Sequence, residues 1–257
     1  STHRGTLFPY TTLFRSGYDY TDGSRKASVN TFFTKTLRSG FLNQGNFVSL
    51  SPRYYWVRGI EARASQGVNL GATHHEIGIG YRYIDESSHE LRYRESTASG
   101  QLPTVSSRND RDTRGKTEAH AIYLDDRIDW GLWTITPGVR YERIDQQQIN
   151  VLTGRPFKGD YSTALPALNV LYRLDEGWNL YANTEGSFGS VQYSQMPNRV
   201  RQGLVKPEKA RTWEFGTRYD QGVLRAEIGA FLINFNNQYD SSQITDSVIA
   251  RGKTRHA

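Results

Sequence analysis

The chain predicts an all-β fold, an antiparallel transmembrane β-barrel, on three observations. Apolar and polar residues alternate with a period of two in window after window. The polar half of each window is too hydrophilic to fill a protein core, and short turns alternate along the chain with long polar connections.

Taken in order, the window 25–38 sets Ser28, Asn30, Thr34 and Thr36 on one face, and 53–66 sets Glu61, Arg63 and Ser65 on one face. In 74–84, Ile77, Ile79, Tyr81 and Tyr83 alternate with Glu76, Gly78, Gly80 and Arg82. After 118–129, the window 132–144 opposes Trp133, Ile135, Pro137, Val139 and Tyr141 to Thr134, Thr136, Gly138, Arg140 and Glu142. Windows 163–174 and 178–188 follow, then 211–219, where Trp213, Phe215 and Tyr219 face away from Glu214, Gly216 and Arg218, and finally 223–236. This makes nine strands with stubs at both ends. Tight links fall at 21–24, 67–73, 129–131, 175–177 and 220–222, all rich in Asp, Asn and Gly, which tolerate turn dihedrals. Long loops are expected at about 39–52, 85–117, 145–162, 189–209 and 237–249. A soluble sandwich would share the alternation, but with shorter strands, no such asymmetry and an apolar inner face. A water-filled lumen suits the polar face, so the apolar face is expected to look at lipid.

Composition bounds the rest. The chain has 257 residues, a formal charge of +6, a pI near 9.4, 24 Gly, 16 Tyr, 5 Trp and no Cys. The lack of cysteine argues against a disulfide framework or a thiolate metal site. Residues 6–16, TLFPYTTLFRS, resemble the in-frame translation of a short-read sequencing adaptor, so residues 1–16 are expected to be non-native and 17–257 to be an internal piece of a longer gene. The Lys and Arg residues are interleaved with acids and form no single stripe, so nucleic acid is not an expected partner. Enzyme motifs are missing: there is no phosphate-loop spacing and no Gly-x-Ser-x-Gly elbow. Adjacent His74 and His75 point to opposite faces of a strand and cannot chelate one ion together. The chain is therefore expected not to be an enzyme.

Three connections on one side carry clustered cations. Arg38 and Arg53 bracket the first, Arg108, Arg111 and Arg114 lie in the second, and Arg199, Arg201, Lys206 and Lys209 accompany only Glu208 in the fourth. Arg38 is in phase with Ser28 through Thr36, and Arg53 with Glu61 through Ser65, so both are expected to point inward at the top of the lumen. Two readings fit these cations: an anion site built from guanidinium forks, or pairing with lumen acids such as Glu61 that orders the loops.

The segments TLRSGFLNQG (36–45), LSPRYYWVRGIE (50–61), DRDTR (110–114), WTITPGVRYE (133–142) and PEKARTWEFGTRYD (207–220) closely resemble the barrel of TonB-dependent outer-membrane receptors of the ferric citrate type, from about Gly17 to the end. That resemblance implies a bacterial (Gram-negative) outer-membrane barrel of about 22 strands around an N-terminal plug, of which this chain holds about ten strands and no plug. It implies a transporter that binds ferric dicitrate at the extracellular mouth and imports it with energy from the TonB–ExbB–ExbD complex, with outer-membrane lipid around the barrel and iron only as part of the ligand, not as a cofactor. Carried over residue by residue, the citrate-contacting positions match Arg38, Arg53, Arg111 and, in YDSSQ, Gln243. Asn43, 46–48 and 145–162 depart from the family pattern. A passive porin-like channel is the alternative; a barrel lipase would need a Ser and His pair at the lipid boundary, which the sequence does not place.

Overall fold

The structure, a computed structural model, describes residues 4–190, 207–236, 239–241, 248–250 and 253–256. Its strands are β1 (Arg4–Asp22), β2 (Arg25–Asn43), β3 (Phe47–Leu50), β4 (Arg53–Leu70), β5 (Thr73–Ser96), β6 (Arg108–Trp130), β7 (Trp133–Asn150), β8 (Arg155–Asp175), β9 (Trp178–Gly189), β10 (Glu208–Gln221), β11 (Leu224–Asn236), β12 (Tyr239–Ser241), β13 (Val248–Ala250) and β14 (Lys253–His256). From β1 to β11 each strand pairs antiparallel with its sequence neighbour, β3 and β4 together filling one place between β2 and β5. This is an up-and-down barrel wall. Residues 4–16 belong to β1 and pair with β2 across one register shift between Leu7 and Tyr10.

The short connections shrink to two residues, with Gly23, Gly71, Gly131, Gly177 and Gly222 all at positive φ. Such turns match the twist of the flanking strands and fix the register that leaves them. At Gly71 the pair Leu70↔Thr73 starts a β4–β5 ladder that runs without a shift to Arg53↔Glu90.

At the other end the expected loops are mostly strand. The 85–117 loop contracts to 97–107, the 145–162 loop to 151–154, and 39–52 becomes the ends of β2 together with β3, turned at Gly45. Strands β4 to β8, 18 to 24 residues long, run past the outward apolar band. Beyond it both faces are polar, so the apolar alternation stops while the backbone ladder, which needs no apolar side chain, continues.

The packing is inverted relative to a soluble protein. Among the described residues only Ala121 and Ile144 are buried apolar side chains, whereas Thr113, Thr117, Gln146, Gln148 and Thr163 are buried on the opposite face from Ile79, Ile122 and Leu124, each more than half exposed. The exposed apolar face is bounded by aromatic girdles. At the short-turn end, Trp133 packs on Tyr172 with centroids 4.5 Å apart, and Trp178 meets Tyr219 at 6.4 Å. At the other, Tyr83 lies 4.9 Å from His120. From Trp130 to His120 the strand climbs about ten residues, which at roughly 3.3 Å each and a tilt of about 40° is a rise of about 25 Å, the height of an outer-membrane apolar band. One register row above, the outward face turns charged from β4 to β8: Arg58↔Asp85, Asp85↔Glu118, Glu118↔Asp145 and Asp145↔Asp160, while Phe33 of β2 keeps that row apolar beside Arg58. The outward face is thus the apolar one, as the alternation implies.

In a receptor carrying this segment, Leu124→Arg on that wall is expected to cost about 2–4 kcal/mol of folding in vesicles, while Ser65→Arg on the lumen face costs much less; the heat-modifiable folded band on gels, titrated with urea, measures both.

Candidate anion site at the mouth

Three neighbouring ladders bring the predicted arginines together. Arg38 lies directly opposite Arg53, Arg53 opposite Glu90, and Arg92 opposite Arg111. All of these side chains are on the concave face, beyond the charged row that ends the apolar band. The register of β5 and β6 slips between Arg92 and Tyr93, leaving Asp110 without a cross-strand partner. A bulge of this kind re-aims side chains, and Asp110 meets both Arg92 at 2.7 Å and Arg94 at 2.5 Å.

Glu90 is the acid at the centre. Only 7% exposed, it accepts the Tyr55 hydroxyl at 3.0 Å and faces Arg111 at 3.8 Å. Burial and the Glu90 carboxylate push the Tyr55 phenol above its ordinary range, with Arg53 pulling the other way. Burial, together with Arg92 and Arg53, lowers Arg111 from the usual guanidinium value, and Glu90 opposes them. Arg38 makes no ion pair among the described residues and is exposed. Arg92, Arg94 and Arg111 therefore share Asp110 and Glu90, with Arg38 and Arg53 in the neighbouring register positions, an arrangement that favours a multivalent anion able to take up the excess charge.

Glu61 accepts from Tyr123 at 3.3 Å and does not pair with the mouth arginines. Tyr123 reaches it by lying flat over Gly80, where a Cβ would stand 2.0 Å from the ring. Deeper lumen charges are also paired locally, Arg63 with Asp125 at 2.7 Å and Lys26 with Glu76 at 3.0 Å. Gln243, Arg199, Arg201 and Lys206 lie outside the described residues. Tyr55, Glu90 and Arg92 were not among the residues the sequence nominated, although counting back from the Gly71 turn places Glu90 opposite Arg53.

His74 bonds Asn69 at 2.6 Å and His75 bonds Asp126 at 2.7 Å, both as strand-end contacts. Thr73 sits 2.9 Å from His75 but donates its proton to the Leu70 carbonyl. Among the described residues no group of three His, Cys, Asp or Glu side chains could hold a metal. A recess of about 400 Å³ between Lys116, Arg143 and Lys158 opens on the outward face and contains none of the mouth arginines.

Residues 2–256 match the family described as TonB dependent receptor-like, beta-barrel. The Ferrioxamine B receptor of Salmonella typhimurium (strain SL1344) is 23% identical over 251 residues, covering 91% of this chain and 34% of the relative. Among solved structures, the unliganded ferric citrate transporter FecA is 60% identical with a TM-score of 0.90, over 96% of this chain and 38% of that one. The siderophore receptor PiuA from Acinetobacter baumannii, 14% identical with a TM-score of 0.74 over 96% of this chain and 43% of that one, shares the fold. The chain spans about a third of the curated relatives it matches.

Because Tyr55 keeps its proton more tightly when folded, its bond to Glu90 is expected to be intact below the ordinary phenol pKa of about 10 and to be lost as pH rises through the higher folded value. Glu90→Gln is expected to bring that titration only part of the way down, since burial is the larger cause; alkaline difference absorbance against Tyr55→Phe reads the shift.

Proposed function

Because this chain belongs to the TonB-dependent receptor β-barrel family, whose members are outer-membrane proteins, we propose that it forms part of a transporter that captures ferric dicitrate at its extracellular mouth and imports it with energy from the TonB–ExbB–ExbD complex. The observation that carries this reading is the concentration of Arg38, Arg53 and Arg111 on one concave surface, in register across β2, β4, β5 and β6. The 60% identity to a ferric citrate transporter supports the same ligand. The 23% identity to a receptor for ferrioxamine B is too low to carry that ligand across.

Ferric dicitrate is a polyanion. Arg38, exposed and without an ion pair among the described residues, meets it first; Arg111 then trades part of its interaction with Glu90 for ligand carboxylates, and Arg53, opposite Glu90 in the ladder, adds a further guanidinium. Each charge-assisted hydrogen bond contributes about 1.5–3 kcal/mol. Glu90 orients the Arg111 guanidinium before the ligand arrives, so less ordering is left to binding. Gln243 adds a hydrogen-bond donor from the later loop. Iron enters as cargo within the citrate complex, and the barrel supplies no ligand to it. The family assignment favours this reading over a passive porin-like channel.

Arg38→Ala together with Arg53→Ala, in a receptor carrying this segment, is expected to lower ferric citrate uptake at least about a hundredfold while the barrel still inserts; normal uptake of radiolabelled iron would overturn the assignment.

A further inference from the structure

Alternation along β6 gives odd positions such as Arg111 and Thr113 to the concave face and even ones such as Ile122 and Leu124 to the outward face. By that rule Asp110 would look outward. The register, however, steps from Arg92↔Arg111 to Tyr93↔Asn109, which makes Asp110 the extra residue of the bulge and turns it to the concave side. There its two oxygens meet Arg92 Nε at 2.7 Å and Arg94 Nε at 2.5 Å, and its side chain is only 13% exposed.

The two arginines serve different parts of the mouth. Arg92 lies directly opposite Arg111, so two guanidiniums stand in one row and repel each other. Arg94 reaches toward the neighbouring strand, with its guanidinium carbon 3.9 Å from the centre of the Phe47 ring. Phe47 opens β3, which is bonded to β2 on one side and β5 on the other and lies in the chain between Arg38 and Arg53. A strand of four residues has few backbone bonds to hold it, so a cation over its first side chain is a substantial part of its attachment. Among the described residues Asp110 makes no ion pair with Arg38, Arg53 or Arg111 themselves.

We propose that Asp110 is a positioning residue of the anion site: by holding Arg92 and Arg94 on one carboxylate it restrains the guanidinium next to Arg111 and fastens β3, the strand between Arg38 and Arg53, to β5 and β6. The inference rests on the polyanion reading above. Charge and position give opposite signs here. As a charge alone, a carboxylate beside the site repels a polyanion, and removing it would tighten binding. As a positioning group it spares the ligand the ordering of two arginine side chains and of β3, and removing it weakens binding. Two guanidiniums on one carboxylate cancel most of its field, which leaves the positioning effect to dominate.

Equilibrium binding of radiolabelled ferric citrate to the full-length receptor in phosphatidylcholine vesicles reads the sign. Asp110→Asn, nearly the same shape without the charge, is expected to weaken binding about tenfold, and Asp110→Glu to recover most of it. With Arg92 and Arg94 both replaced by Gln, Asp110→Asn is expected to change binding by less than about twofold, since the groups it acts through are gone. Tighter or unchanged binding by Asp110→Asn, or the same loss in the glutamine background, overturns the assignment. Should those variants not insert, Phe47→Leu takes away the ring under Arg94 and no charge; binding about threefold weaker is expected, and unchanged binding overturns the coupling to β3. Hydrogen exchange without ligand reads the fastening independently: Asp110→Asn is expected to speed exchange of the 47–50 amides at least about fivefold with 178–189 unchanged, and an unchanged rate at 47–50 refutes it. An unsubstituted receptor that binds no ferric citrate refutes the ligand reading instead, with the exchange rates still deciding whether Asp110 fastens β3.

Discussion

Everything in this structure depends on the backbone having no partner in lipid. Each N–H and C=O that crosses the apolar band must bond to a neighbouring strand, so the chain has to run as one uninterrupted antiparallel ladder. Two-residue turns at one end start that ladder at fixed pairs, and the period of two then decides which side chain faces which medium. Ile79, Ile122 and Leu124 look outward for the same reason that Arg53, Glu90 and Arg111 look inward. The site is a consequence of register, carried from the Gly71 turn to the far rim.

The same constraint explains what the sequence reveals and what it hides. Where strands cross the membrane, lipid on one side and water on the other impose an apolar and a polar face, and the windows 74–84 and 132–144 show it plainly. Above the band, the outward positions of β5 become Asp85, Ser87 and His89, the contrast disappears, and a strand reads as a loop. Glu90 sits in that silent stretch, which is why the acid organising the arginines escapes a reading based on periodicity. Arg38 and Arg53 were legible because they lie at the ends of patterned windows. Arg111 lies in the 85–117 stretch that reads as a loop although its ladder runs unshifted to Arg92↔Arg111, and resemblance to a known barrel is what singles it out from the cations clustered there.

Electrostatically the wall is layered. The mid-lumen is paired locally, as Arg63–Asp125 and Lys26–Glu76 show. Above it lies a tier rich in acceptors, and above that a rim where guanidiniums outnumber carboxylates. A polyanion arriving from outside meets the rim first and gains there, while the acceptors beneath offer it nothing. That order of layers supports the proposed capture of a polyanion at the mouth.

The most direct test is equilibrium binding of radiolabelled ferric citrate to the full-length receptor in vesicles, in competition with ferrioxamine B and across a range of salt. Saturable ferric citrate binding that weakens as salt rises and resists ferrioxamine B is the result expected of an arginine-lined polyanion site. Binding of ferrioxamine B without ferric citrate would contradict it.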